Sequence, residues 1–83
     1  MAGMDFDELA ARIDGVAWVL KSLIAELEMS GRLDGPGFCD RIRASGRGRE
    51  IHAGLERSGQ LIQLIADDLD AARANRQSMA PPG

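Results

Sequence analysis

Tyrosine and threonine are absent from the chain, and valine occurs twice. Strands draw on these residues, so their scarcity argues against a sheet. Cys39 is the only cysteine, which excludes a disulfide within the chain. His52 is the only histidine, and Cys39 and His52 together fall short of the four ligands of a structural zinc site. No apolar run approaches the ~20 residues of a membrane span. The longest, from Val16 to Leu20, is five residues. The start MAGMDFDEL is acidic where a secretory leader carries basic residues, so no leader is expected. A lone thiol fits a reducing compartment, and the expected location is the cytoplasm. Arginine outnumbers lysine nine to one, a bias associated with GC-rich bacterial or phage genomes.

What is present is helical periodicity. In a chain of 83 residues with net charge −3, one small soluble domain is expected. Phe6, Leu9, Ile13, Val16, Leu20, Leu23 and Leu27 recur at alternating gaps of three and four, a heptad stripe. Asp5 and Glu8 form a capping box at its start, Met4 and Leu9 stand where a hydrophobic staple would, and Gly31 suits its end. The spacing predicts a helix over about 5–30. Val19 and Ile24 widen its apolar face, while Trp18 lies on the far side.

The stretch GRLDGPG, residues 31–37, reads as a turn. Phe38 and Ile42 then share a face of a short helix expected over about 37–44. Gly46 and Gly48 should weaken any continuation, at ~1 kcal/mol each. A second long helix is predicted over about 49–76, with Ile51, Leu55, Ile62, Ile65 and Leu69 on its stripe. Fusion of the short helix with it is the alternative. Gly54, Ser58 and Gly59 make a small-residue patch that would admit another backbone. The domain thus covers 1–76, and the proline-containing tail 77–83 is expected to be disordered. The fold class is all-α: a hairpin of two long helices with a short helical element in the connection. Two such hairpins pairing into a dimeric four-helix bundle would bury both wide stripes.

Charge is unevenly placed. Residues 32–49 carry five basic and two acidic side chains, net +3, while the flanks are net −4 and −2. Arg41, Arg43, Arg47 and Arg49 could therefore form a basic contact patch. No aromatic residue lies among them to stack bases, and the sequence pI is near 5.0. Docking on an acidic protein surface is favoured over nucleic acid, and a solvated linker is the plainer reading. Trp18 is either packed beneath Phe38 and Ile42 or held out for a partner, since tryptophan and arginine are enriched at interface hot spots.

Catalytic and metal chemistry find little support. Cys39 and His52 lack a third group to orient the histidine. Glu50 and His52 are two apart, roughly 200° around a helix, so they cannot ligate together. Asp67, Asp68 and Asp70 read as a solvated acidic face rather than a cation site. In length and hairpin plan the chain resembles the small helical hairpins of the WXG type. Their Trp-x-Gly stands at the turn, whereas Trp18-Val19-Leu20 lies mid-helix here, so no residue role follows from the resemblance. The expectation is a non-enzymatic, homodimeric helical protein without metal or cofactor. It would bind a larger protein as an adaptor, accessory or inhibitor. The alternative is a small nucleic-acid-associated protein using Arg41 to Arg49.

Overall fold

The computed structural model describes residues 5–79. Three helices account for nearly all of them: α1 (Phe6–Met29), α2 (Gly35–Glu50) and α3 (Glu56–Met79). The described residues contain no strand.

The ends of α1 follow from local chemistry. The Asp5 carboxylate accepts the Glu8 backbone N–H at 2.7 Å. The Glu8 side chain does not return the contact and instead takes Arg12 at 3.0 Å, so only half of the capping box forms. Met4, the other half of the expected staple, lies outside the described residues. At the far end Gly31 adopts φ 75. The Arg32 N–H then reaches the Leu27 carbonyl at 2.9 Å and the Gly31 N–H reaches that of Glu28 at 3.0 Å. These are the two bonds of a Schellman stop.

The second helix is longer than expected. It starts at the Asp34 cap, whose carboxylate accepts the Gly37 N–H at 3.2 Å, and continues through Gly46 and Gly48 to Glu50. The basic stretch is therefore helical and not a glycine-rich loop. The reason lies across the interface. A Cβ on Gly46 would stand 2.7 Å from the Gly59 carbonyl oxygen, and one on Gly59 would run into the Gly46 carbonyl. The two glycines let the backbones of α2 and α3 touch, and that close approach outweighs their poor helix propensity.

The third helix begins later than the heptad spacing implies. Residues 51–55 form the reversal between α2 and α3, with Gly54 at φ 86. Ile51 accordingly caps α2 and is 82% exposed instead of lying on a helical stripe. Leu55 is half-buried just ahead of α3. Residues 77–79, expected in the disordered tail, complete the last turn of α3; residues 80–83 lie outside the described residues.

Packing is unequal among the three helices. α2 and α3 run antiparallel and form the tight pair, to which α1 adds along one side. Lys21 meets Asp68 and Glu28 meets Arg73, so α1 runs in the same direction as α3. The buried core is small: Cys39, Ala66 and Leu69, with Ile24, Ile42 and Ile65 against it. No residue of α1 is buried.

Candidate functional site

The heptad stripe of α1 does not face its own chain. Residues 6–16 of α1 are all exposed. The half-buried positions are Ala17, Lys21, Ile24, Ala25, Leu27 and Glu28. At ~100° per residue most of these lie about a quarter-turn away from the stripe. So α1 docks on α3 by a flank of small and charged residues and leaves its seam open. Phe6, Leu9, Ile13, Val16, Leu20 and Leu23 are between 43% and 88% exposed. Only Leu27, the last member, is partly covered. Beside the seam lies an apolar groove of about 340 Å³, walled by Ile13, Val16 and Leu20 of α1 and by Leu61 and Ile65 of α3.

On the other side of α1 sits Trp18. It is 68% exposed and does not pack beneath Phe38 and Ile42, which are themselves half-buried on α2. The residues under the tryptophan explain why. α1 lies against α3, so Trp18 borders a groove of about 280 Å³ with Lys21, Ala25, Asp68, Leu69 and Ala72. The Lys21 ammonium is 5.9 Å from the ring centroid and 3.2 Å from the Asp68 carboxylate. Its charge is thus shared between a π face and a carboxylate.

The arginines of α2 divide by their neighbours. Arg43 is a structural residue. Its guanidinium reaches Asp67 at 2.9 Å and Asp70 at 2.6 Å, both on α3, and Asp40 at 3.5 Å on its own helix. These carboxylates raise its affinity for the proton further, the Asp70 hydrogen bond most of all. Arg49 donates from Nε to the Ser58 hydroxyl at 3.0 Å, across the reversal. Arg41 and Arg47 are exposed and make no ion pair among the described residues. At ~100° per residue Arg43 and Arg47 project to one side of α2, while Arg41 and Arg49 project to another. The expected patch is therefore split around a helix, with half of its members tied to α3.

The acidic trio is likewise engaged. Asp67 and Asp70 hold Arg43, and Asp68 holds Lys21. Asp70 also pairs with Arg73, whose guanidinium continues to Glu28. A continuous chain of charges thus runs from α1 through α3 to α2. Hydrogen bonds from Arg73 hold Glu28 and Asp70 below the ordinary carboxylate range, against a smaller opposing effect of burial. Sequence reasoning misses this network because its cross-helix partners stand 24 to 48 residues apart. Cys39 borders it, with its sulfur 3.7 Å from Arg73 Nη2. Burial pushes the thiol pKa up, which makes it a poor nucleophile. His52 is exposed in the reversal at the opposite end of α2, roughly 20 Å of helix away. The two do not meet.

The chain matches no family model, no curated protein and no solved structure. No described helix is long and apolar enough to cross a membrane.

Proposed function

We propose that the chain is a non-enzymatic helical interaction protein that works as a homodimer and binds a larger protein through a preformed helical surface. The observation that carries this reading is the open seam of α1. A soluble monomer rarely leaves a contiguous apolar patch of more than a few hundred Å² uncovered. Six large side chains in heptad register, with the groove beside them, exceed that. Pairing through the seam would join α1 and α3 of each copy into a four-helix bundle, with α2 outside it. Trp18 and its groove would then stay accessible on the far side of α1, as a surface for the larger protein. The exposed ring, its cationic neighbour and the apolar floor fit a hot spot that takes a partner side chain. The proposed compartment is the cytoplasm, where the lone buried thiol stays reduced.

Two measurements test the reading. Light scattering at micromolar concentration should return twice the chain mass of 8.9 kDa. A stable monomer would remove the dimer. Capture from the native cytoplasm should then yield a protein that Trp18→Ala no longer retains. Equal capture by both would remove the Trp18 surface.

A further inference from the structure

The open seam also carries a direction. Resting on the homodimer reading above, we infer that two copies pair α1 against α1 in antiparallel orientation, about a two-fold axis between the Ile13 and Val16 layers. Phe6 then meets the partner's Leu23, Leu9 meets the partner's Leu20, and Ile13 meets the partner's Val16.

A second copy is the occupant because the seam is spaced for another helix of the same repeat. Residues separated by alternating threes and fours fit the holes of a helix carrying the same alternation. The corresponding stripe of α3 is already used, since Ile62 and Ile65 are half-buried and Leu69 is buried within the chain. The α1 seam is the stripe left without a partner. Its area suffices. Six aliphatic or aromatic side chains, each about half exposed or more, with Leu61 beside them, present on the order of 700 Å², close to the ~800 Å² per partner of a standard interface.

Burial fixes the register. Leu27 is already partly covered by its own chain, so the open part of the stripe ends at Leu23. The six remaining positions are symmetric about the midpoint between Ile13 and Val16. An antiparallel pairing centred there places every exposed member opposite another. A shift by one heptad would leave without a layer either Phe6, the most exposed of them at 88%, or both Leu20 and Leu23.

Charge fixes the direction. The first turns of α1 carry Asp5, Asp7 and Glu8, and only Arg12 follows to offset them. A parallel pair would set the two acidic ends side by side and align the two helix dipoles, both unfavourable. An antiparallel pair separates these ends by about 25 Å of helix. Lys21, the only lysine of the chain, takes no part in this, because Asp68 of its own chain holds it. On the flank facing the groove, Ala10 and Ala17 are small enough for the two helices to approach closely. On the other flank the stem of Arg12 would lie over the partner's Val19.

Cysteine pairing tests the arrangement. Leu9→Cys and Leu20→Cys chains, distinguished by a tag, are refolded together and oxidised mildly, and the same is done with each alone. Antiparallel pairing brings positions 9 and 20 of different copies within disulfide reach, ~4.4–6.8 Å between Cα atoms. The mixture should therefore give the mixed disulfide, and each variant alone should give little. Wild type reports any contribution of the buried Cys39. Circular dichroism and light scattering confirm that each variant remains helical and dimeric. Cross-linking of Leu9→Cys with itself would mean parallel pairing and overturn the inference. A dimeric mass without any cross-link would place the contact on another face and also overturn it, leaving the homodimer intact. A single-chain mass for wild type would remove the homodimer itself.

Discussion

Arg73 grips Glu28 with two parallel hydrogen bonds, Nε to Oε2 and Nη2 to Oε1, each 2.8 Å long. The pair joins α3 to the end of α1, and both side chains are largely buried, at 14% and 16% exposure. Arg76 adds a third contact to the same carboxylate at 3.2 Å. With no buried residue of its own, α1 is held to the hairpin by this fork together with Ile24 against the core and the Lys21–Asp68 pair. Removing Arg73 leaves the largely buried Glu28 with only its single contact to Arg76. Arg73→Ala should therefore cost about 3 kcal/mol. Thermal melts of the variant, with proteolysis in α1 as a local readout, check it. An unchanged melt would mean that the fork contributes nothing net.

The same network predicts the response to acid. The folded chain lowers the pKa of Glu28 and Asp70 below their unfolded values. A depressed carboxylate contributes stability above its unfolded pKa and loses it as pH falls through the folded one. Stability should accordingly hold at neutral pH and decline below about pH 4. Glu28→Gln should be less stable than wild type at pH 7, and its melting temperature should fall less steeply on acidification. Parallel curves for the two proteins would show that Glu28 titrates as it does in the unfolded chain.

The glycines of α2 give a contrast within one helix. A Cβ added to Gly48 would have no neighbour within 4 Å, whereas one added to Gly46 meets α3. Gly48→Ala should stabilise by about 0.5–1 kcal/mol through helix propensity alone. Gly46→Ala and Gly59→Ala should instead destabilise by about 1–3 kcal/mol, as overpacking does. Denaturant titrations of the three variants decide it. Stabilisation by all three would mean that the helices do not touch at the glycines.

That contrast also shows what is legible in the sequence. The all-helical class and the span of α1 follow from periodicity and from a local start signal, Asp5, and a stop signal, Gly31. The boundary between α2 and α3 does not. Gly46 reads as a breaker because its cost is local, while its benefit is a contact with Gly59 thirteen residues on. Ile51 and Leu55 fall into heptad register with Ile62 by coincidence of spacing across the reversal at Gly54. The small-residue patch around Gly59 is the one usable hint, since it anticipates a close backbone approach without naming its partner. At the candidate surfaces, the stripe of α1 is visible in the sequence, but its outward orientation is not. Orientation depends on Ala17, Lys21 and Glu28 making the better contact with α3, and only the folded chain reveals that. Arg43 looks equivalent to Arg47 until Asp67 and Asp70 are placed beside it.

The arginines can now be separated by experiment. Arg43→Glu would set a carboxylate against Asp67 and Asp70 and should unfold or loosen the α2–α3 pair. Arg41→Glu with Arg47→Glu should leave the fold intact, since both residues are exposed. If the chain bound nucleic acid through α2, the double variant would lose it, and binding by wild type would weaken steeply between ~50 and ~200 mM salt. The proposed protein-binding function expects no gel shift with DNA or RNA at either salt concentration. A shift abolished by the double variant would replace the proposed function with the nucleic-acid alternative.

Leu20 and Leu69 differ in a way that separates folding from assembly. Leu69 is buried within the chain, so Leu69→Ala should cost ~2–5 kcal/mol at any protein concentration. Leu20 is on the open seam and about half exposed in the single chain. Its truncation removes little from the monomer but one side of two symmetry-related layers from the proposed dimer. An association that binds only folded chains makes melting temperature rise with protein concentration. Wild type and Leu69→Ala should both show that rise, from different starting points. Leu20→Ala should melt close to wild type when dilute and fall behind it as concentration increases. Melting temperatures that do not depend on concentration for wild type would remove the dimer. An equal deficit for Leu20→Ala at every concentration would mean that Leu20 is buried within its own chain, with α1 rotated by about a quarter-turn from the orientation described.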